Sequence, residues 1–175
     1  GLQKAADFIS LCDAFSIPML SLVSATGFDT TVANEKSVAR EAARLIHTFA
    51  DASAPKVTLL TGEAYGSAYL TMNSGHIGAD LVYAWPTASV GMMPAENAVK
   101  IIYNDEIDAS DDAQGLIAEK AAAYAALQTS PESAAGRGYV DAVIEPESTR
   151  QHLIAAFEML YSKRAVRPSK KHSTL

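Results

Sequence analysis

The groups best placed to do chemistry lie in one stretch, Thr61-Gly62-Glu63-Ala64-Tyr65-Gly66-Ser67-Ala68-Tyr69-Leu70-Thr71-Met72. A β-branched run, Lys56-Val57-Thr58-Leu59-Leu60, precedes it and reads as a buried strand. Small and apolar residues follow it and can continue as a helix. Strand, glycine-bearing turn and helix start leave several backbone N–H groups unpaired and pointing outward. Gly66, Ser67 and Ala68 are small enough for a ligand to approach those groups closely. Such a turn can hold a phosphate, a carboxylate or a developing oxyanion. It serves equally as a tight turn for packing a helix on a sheet, so the stretch alone does not decide between them.

Other candidates carry less. Ser67, His76 and Asp80 supply the residue types of a nucleophilic triad within fourteen residues. A triad is defined by three-dimensional contacts, however, and this spacing is common by chance. His76 is expected to satisfy a loop backbone, and His47 to be a partly exposed polar residue on a helix. Neither has a partner at zinc-ligand spacing. Tyr65 and Tyr69, four residues apart, read from spacing as packing residues with polar tips. Cys12 sits in the apolar pattern Phe8-Ile9-Leu11-Cys12-Phe15 and reads as a buried thiol. Trp85, beside Pro86, reads as a core or interface anchor. Asp105 to Asp112 carries five carboxylates in eight residues, which favours a solvated acidic loop with N-capping residues over a metal site.

The chain that must position these groups has 175 residues, enough for one domain with a sizeable core. Half of it is apolar, and the net charge of -6 argues against a nucleic-acid surface. One cysteine excludes an internal disulfide, and no apolar run reaches the length of a membrane span. The expectation is a soluble, cytoplasmic protein with no membrane contact of its own. Periodicity predicts helices over Ala5–Phe15, Ser37–Asp51, Ala95–Tyr103, Asp112–Gln128 and Pro146–Tyr161, and a short one at Ser130-Pro131-Glu132. Strands are predicted at Ile17–Val23, Lys56–Leu60, Leu81–Trp85, Ser89–Met93 and Val140–Ile144. Alternating helices and short apolar strands point to α/β with parallel pairing. A chain that opens on a sheet-covering helix leads us to expect further strands upstream. The basic tail from Ser162 reads as an interface strap or a frayed end.

Several segments together resemble a known family. They are Lys4–Phe15, Ala64-Tyr65-Gly66, Tyr83-Ala84-Trp85-Pro86-Thr87-Ala88, Gly138–Pro146 and the basic ending from Tyr161 through Arg167-Pro168 to His172. In this order they resemble the carboxyltransferase subunit of biotin-dependent acyl-CoA carboxylases of the propionyl-CoA and acetyl-CoA type, and related acyl-CoA decarboxylases. The resemblance implies a crotonase-like ββα-superhelix, incomplete at its N-terminus. Residues 1–175 then form most of the second, biotin-side domain of a two-domain subunit. The implied activity moves a carboxyl group between biotin and the α-carbon of an acyl-CoA, two anions each being stabilised by a pair of backbone N–H groups. On this sequence the biotin-side hole falls on the N–H groups of Ser67 and Ala68. Gly66, Tyr65 and Tyr69 fall around the cofactor, and Leu70, Gly27 and Phe28 around the acyl substrate. The implied partners are a biotin carboxyl carrier protein or biotin carboxylase subunit, a CoA-binding N-terminal carboxyltransferase domain, and further copies in a homo-oligomer. No metal is implied.

The sequence also departs from the family pattern. Ser67 stands where a second glycine is usual, and Leu70 where short-chain carboxylases often carry an acidic residue. An Asp-x-Pro-Gly-Phe loop appears as Ser24-Ala25-Thr26-Gly27-Phe28, and Pro94 replaces a small glycine. Leu70 leads us to expect a bulkier or more apolar acyl group. Three other readings stand beside the carboxylase: a decarboxylase of the same family, a non-catalytic assembly domain, and a crotonase-fold serine hydrolase.

Overall fold

A computed structural model describes residues 1–29 and 31–165. The basic ending expected from Arg167 to His172 lies outside the described residues. The chain runs α1 (Leu2–Ala14), β1 (Met19–Ala25), α2 (Val32–Asp51), β2 (Lys56–Tyr65) and α3 (Gly66–Thr71). It continues as β3 (Leu81–Ala84), β4 (Ser89–Gly91), α4 (Ala95–Ile102), α5 (Asn104–Asp108) and α6 (Ala113–Tyr124). A π-helical turn (Ala125–Thr129), α7 (Pro131–Gly136), β5 (Ala142–Val143), a 3₁₀ turn (Pro146–Ser148) and α8 (Thr149–Leu160) complete it. The expected α/β arrangement is present, and every strand pair is parallel.

The sheet is built on β2. Its first half pairs with β1 on one side and β3 on the other, and β5 extends beyond β3. Its last residues, Glu63 to Tyr65, pair instead with Ser89 to Gly91 of β4. The sequence reading ended this strand at Leu60 and began a turn; the strand in fact continues through Gly62. The reason lies in the neighbouring strand. Register with β1 slips between Val23↔Leu60 and Ala25↔Ala64, and a Cβ on Gly62 would meet Ser24 Oγ at 2.7 Å. Gly62 is needed for close approach of two strands, not for a turn.

Other boundaries shift where a cap or a pairing partner decides them. α2 starts at Val32 because Thr31 Oγ1 accepts a hydrogen bond from the Asn34 N–H at 3.3 Å, five residues before the predicted start. Part of the acidic stretch coils into α5, while Asp112 caps α6 by accepting from the Gly115 N–H at 2.9 Å. The capping role was expected; α5 was not. Ser130 caps α7 through the Ser133 N–H, with Pro131 at its first turn. β5 is only two residues long because Tyr83 and Ala84 are its only β3 partners. The last predicted helix divides into the 3₁₀ turn and α8.

Two apolar clusters hold these layers. One joins Ala6, Ile9 and Cys12 of α1 to Met19, Leu45, Phe49, Ala52 and Ala54, and Cys12 is buried as expected. The other gathers Val23, Leu60, Ala64, Tyr69, Val82, Ala84, Val90 and Val140 around the far end of β2. The described residues contain no helix long and apolar enough to cross a membrane.

Candidate functional site

The chain reverses from β2 into α3 at Gly66. Its φ is +58°, and a Cβ there would lie 3.1 Å from the Met92 carbonyl oxygen. A side chain would be strained by the backbone and crowded by Met92, so glycine is dictated twice. No side chain caps the start of α3. The N–H groups of its first turn, Ser67 and Ala68 among them, have no intrahelical acceptor by the geometry of a helix. Ser67 is exposed, whereas Ala68 is buried with its side chain in the core.

A cavity of about 340 Å³ opens beside this turn, lined by Gly66, Tyr69, Leu70, His76, Val90, Gly91, Met92 and Thr129, with Arg137 and Tyr139 also on its wall. Three of these, Gly66, Tyr69 and Leu70, were singled out in the sequence. Tyr69 is buried, and its hydroxyl has no hydrogen-bond partner among the described protein groups. Burial pushes its phenol up to about 12, with the nearby Tyr139 phenol acting in the same direction. The group therefore keeps its proton at neutral pH and is a donor. The Arg137 guanidinium, by contrast, is used on the π-helical turn, donating to the Leu127 and Gln128 carbonyls and to Gln128 Oε1.

The other expected residues are placed apart. Tyr65 is buried with its ring against Gly91, where a Cβ would be 3.8 Å from Tyr65 Cδ1, so it shapes the wall as a packing residue. Phe28 lines a different cavity, of about 660 Å³, with Leu2, Asn34, Val38 and Met72. Leu70 and Phe28 thus do not share a pocket. A Cβ on Gly27 would meet nothing within 4 Å, so that glycine is not required by packing.

The residues of a nucleophilic triad are not assembled. Asp80 Oδ2 accepts from the Lys56 N–H and from Lys163 Nζ, both at 2.8 Å, which ties it to the chain's C-terminal segment. Lys163 thereby ties the start of the tail to its own chain, which does not test the interface-strap reading; residues 166–175 lie outside the described residues. His76 does not serve a loop backbone as expected. Its ring stands edge-on to Tyr69 at 6.3 Å and lies on Tyr139 at 4.8 Å. No local spacing marks this ring cluster, because Tyr139 arrives from a segment more than sixty residues away. His47 is partly exposed on α2 as expected, and Trp85 is half-buried, its Nε1 donating to Thr149 Oγ1 at 2.8 Å.

An open groove of about 980 Å³ runs along α8, lined by Trp85, Pro146, Leu153, Ile154 and Phe157. It is larger than the cavity at α3, but no buried unpaired polar group faces it. The α3 cavity, with Gly66, Tyr69 and Leu70 on its wall, is the better candidate for chemistry, although Ser67 and Ala68 themselves are not among its lining residues.

The carboxyl transferase domain family matches residues 1–175, the whole chain. Among curated proteins, the propionyl-CoA carboxylase carboxyltransferase subunit of Haloferax mediterranei is 44% identical over 174 residues, covering 99% of this chain and 34% of that protein. The methylmalonyl-CoA carboxyltransferase 12S subunit of Propionibacterium freudenreichii is 42% identical over 171 residues, covering 97% and 33%. A crystal structure of a transcarboxylase 12S hexamer superposes with a TM-score of 0.94 at 41% identity, over 99% of this chain and 34% of that one. The chain therefore spans about a third of the length of the curated relatives it matches. Its fold is the crotonase-type superhelix of these carboxyltransferases.

Proposed function

The chain belongs to the carboxyl transferase domain family, and we propose that it is the biotin-side domain of an acyl-CoA carboxyltransferase. In this reading residues 1–175 are the C-terminal domain of a two-domain subunit. The observation that carries it is the start of α3: N–H groups without a side-chain cap, reached past a glycine whose left-handed conformation favours glycine, beside a cavity of suitable size.

Biotin, when bound, supplies a ureido nitrogen that carries the carboxyl group and exchanges it for a proton from the acyl α-carbon. Everything else in the step falls to this chain and its partners. The Ser67 and Ala68 N–H groups would hold the ureido oxygen as negative charge develops there, a role worth about 3 kcal/mol for each donor lost. Backbone donors keep this role whatever side chain they carry, so Ser67 in place of a second glycine leaves the hole intact while narrowing its approach. The cavity fits a biotin head group. A cavity of about 150 Å³ holds one benzene-sized ring, and about 340 Å³ accommodates a bicycle. Tyr69 and Leu70 would flank it, Leu70 turning an apolar surface toward the acyl group.

The partners follow from the same reading: a biotin carrier protein or a biotin carboxylase subunit, a CoA-binding domain and further copies of the subunit. Exposed Phe8 and Leu11 on α1, Phe15 just after it, and Leu20 and Leu22 on β1 support an assembly surface. We place the assembled protein in the cytoplasm. A decarboxylase would use the same hole, and the methylmalonyl-CoA decarboxylase subunit alpha of Propionigenium modestum is 42% identical.

The test is carboxyl transfer from methylmalonyl-CoA to free biotin by the full-length protein that carries this sequence, read as propionyl-CoA released. Biotin-dependent release is expected, and none from the isolated 175 residues, for want of a CoA site. Absence of biotin dependence in the full-length protein would overturn the proposal.

A further inference from the structure

α8 shows an apolar face where the outer side of a surface helix is ordinarily polar. Leu153, Ile154, Phe157 and Tyr161 recur at the spacing of a single helical stripe, and all four line the open groove of about 980 Å³. Trp85, Pro18 and Pro146 complete its apolar lining. Ile154 is half exposed and Tyr161 almost wholly so, so nothing among the described residues covers the stripe. Apolar surface gathered in this way marks a contact site.

Both ends of α8 are held in place. At its start, Trp85 Nε1 donates to Thr149 Oγ1 at 2.8 Å. Just beyond its end, Lys163 Nζ donates to Asp80 Oδ2 at 2.8 Å and to the Ala54 carbonyl at 3.3 Å. The chain therefore leaves its last described residues from a fixed point at the Tyr161 end of the groove. Ten further residues follow, Val166-Arg167-Pro168-Ser169-Lys170-Lys171-His172-Ser173-Thr174-Leu175. α8 has 12 residues and is about 18 Å long. An extended chain covers about 3.3 Å per residue, so about six residues retrace the helix and the segment is long enough.

The composition of the segment matches the groove. Pro168 has no N–H to strand on an apolar surface, and it disfavours the helical region for Arg167, so the segment is a poor continuation of α8. Extended proline-bearing chain packs well on aromatic rings, which Trp85, Phe157 and Tyr161 supply. Arg167 comes first, toward Glu158, and Lys170 and Lys171 come later, toward Glu147; both glutamates line the groove. Arg150 is the one cation among the described lining residues, which leaves acid in excess.

We propose that residues 166–175 fold back along α8 of the same chain and fill this groove, with Pro168 on the aromatic rings and the basic residues facing Glu158 and Glu147. The segment then holds α8 against the sheet, whatever binds beside α3.

The experiment uses the full-length protein. The photoreactive residue p-benzoylphenylalanine is introduced in place of Ile154, whose exposed side chain leaves the core untouched. After irradiation, the expected product runs on a denaturing gel at the mass of one subunit and joins the α8 peptide to the peptide following Ala165. A product at twice that mass puts a second copy in the groove, and a product with any other segment puts the rest of the polypeptide there. Absence of a product leaves the groove open. Each of these three results overturns the proposal. A second measurement is proteolytic. Endoproteinase Lys-C cuts after Lys170 and Lys171, and Ile154→Arg, which sets a like charge in the groove, should speed that cleavage about tenfold with the fold intact by circular dichroism. Equal cleavage rates in parent and variant also overturn the proposal.

Discussion

The two ends of β2 are built on opposite principles. At its N-terminal end, charged groups are partly or fully buried and held by specific partners. Asp13 Oδ1 accepts from the Ser53 N–H, the Ala54 N–H and Ser53 Oγ at 2.7, 2.8 and 3.1 Å. Lys56 is buried and donates to the Phe49 carbonyl, and Asp80 links the Lys56 N–H to Lys163. At and beyond its C-terminal end, nine residues on at Tyr65, the N–H groups opening α3 have no side-chain cap and the Tyr69 hydroxyl has no partner. Unpaired buried polar groups are costly wherever they occur. Those at α3 lie at the opposite end of the strand from the Asp13, Lys56 and Asp80 junction, although Asn73 Oδ1, beside Thr58 in the first half of β2, is likewise buried without a partner.

The contrast is broken most severely at the bonded end. Asp13→Ala strands two backbone N–H groups in a partly buried loop. It should destabilise the protein by about 3 kcal/mol, with activity per folded molecule unchanged. Urea unfolding with a parallel activity assay checks both halves. Asp13→Asn keeps an acceptor oxygen and should lose less.

At the open end the signature is alkaline. The Tyr69 pKa is raised above that of an unfolded tyrosine, so the folded state holds its proton more tightly. The associated stability is complete below pH 10 and is lost as pH rises toward 12, amounting to about 3 kcal/mol for a shift of two units. Melting curves across that window should show this loss in the parent and a smaller one in Tyr69→Phe.

Gly66→Ala tests the turn between the two. A φ of +58° and the Met92 carbonyl at 3.1 Å should together cost about 1–2 kcal/mol. Turnover should fall further than stability does, because the turn aims the donors. Stability loss without a change in turnover would detach the turn from function.

How far the sequence revealed this division depended on the range of each contact. Asp112, Ser130 with Pro131, and the helical spacing of Leu45 and Phe49 were readable because caps and amphipathic faces are set within a few residues. Gly66 was readable for the same reason, being next to the small residues that follow it. Gly62 was misleading, since its glycine answers to Ser24 on a neighbouring strand. The His76–Tyr139 contact was invisible, because it exists only once β5 has returned beside β3. The bonds of Asp13 and Asp80 were hidden likewise, their partners lying 24 to 83 residues away. The larger conclusion, which family the chain belongs to, came from the ordered resemblance of several segments and not from any one of these contacts.

The central claim is that backbone donors at the start of α3, not a side-chain nucleophile, carry the chemistry. It is tested most directly by comparing Ser67→Ala with Ala68→Pro in the full-length protein, measuring biotin-dependent carboxyl transfer from methylmalonyl-CoA. Proline is tolerated in the first turn of a helix but has no N–H to donate. The account predicts that Ser67→Ala stays within about threefold of the parent, while Ala68→Pro, with melting temperature monitored, loses about 10²–10³-fold in kcat. Abolition of turnover by Ser67→Ala, or its survival in a folded Ala68→Pro protein, would contradict it.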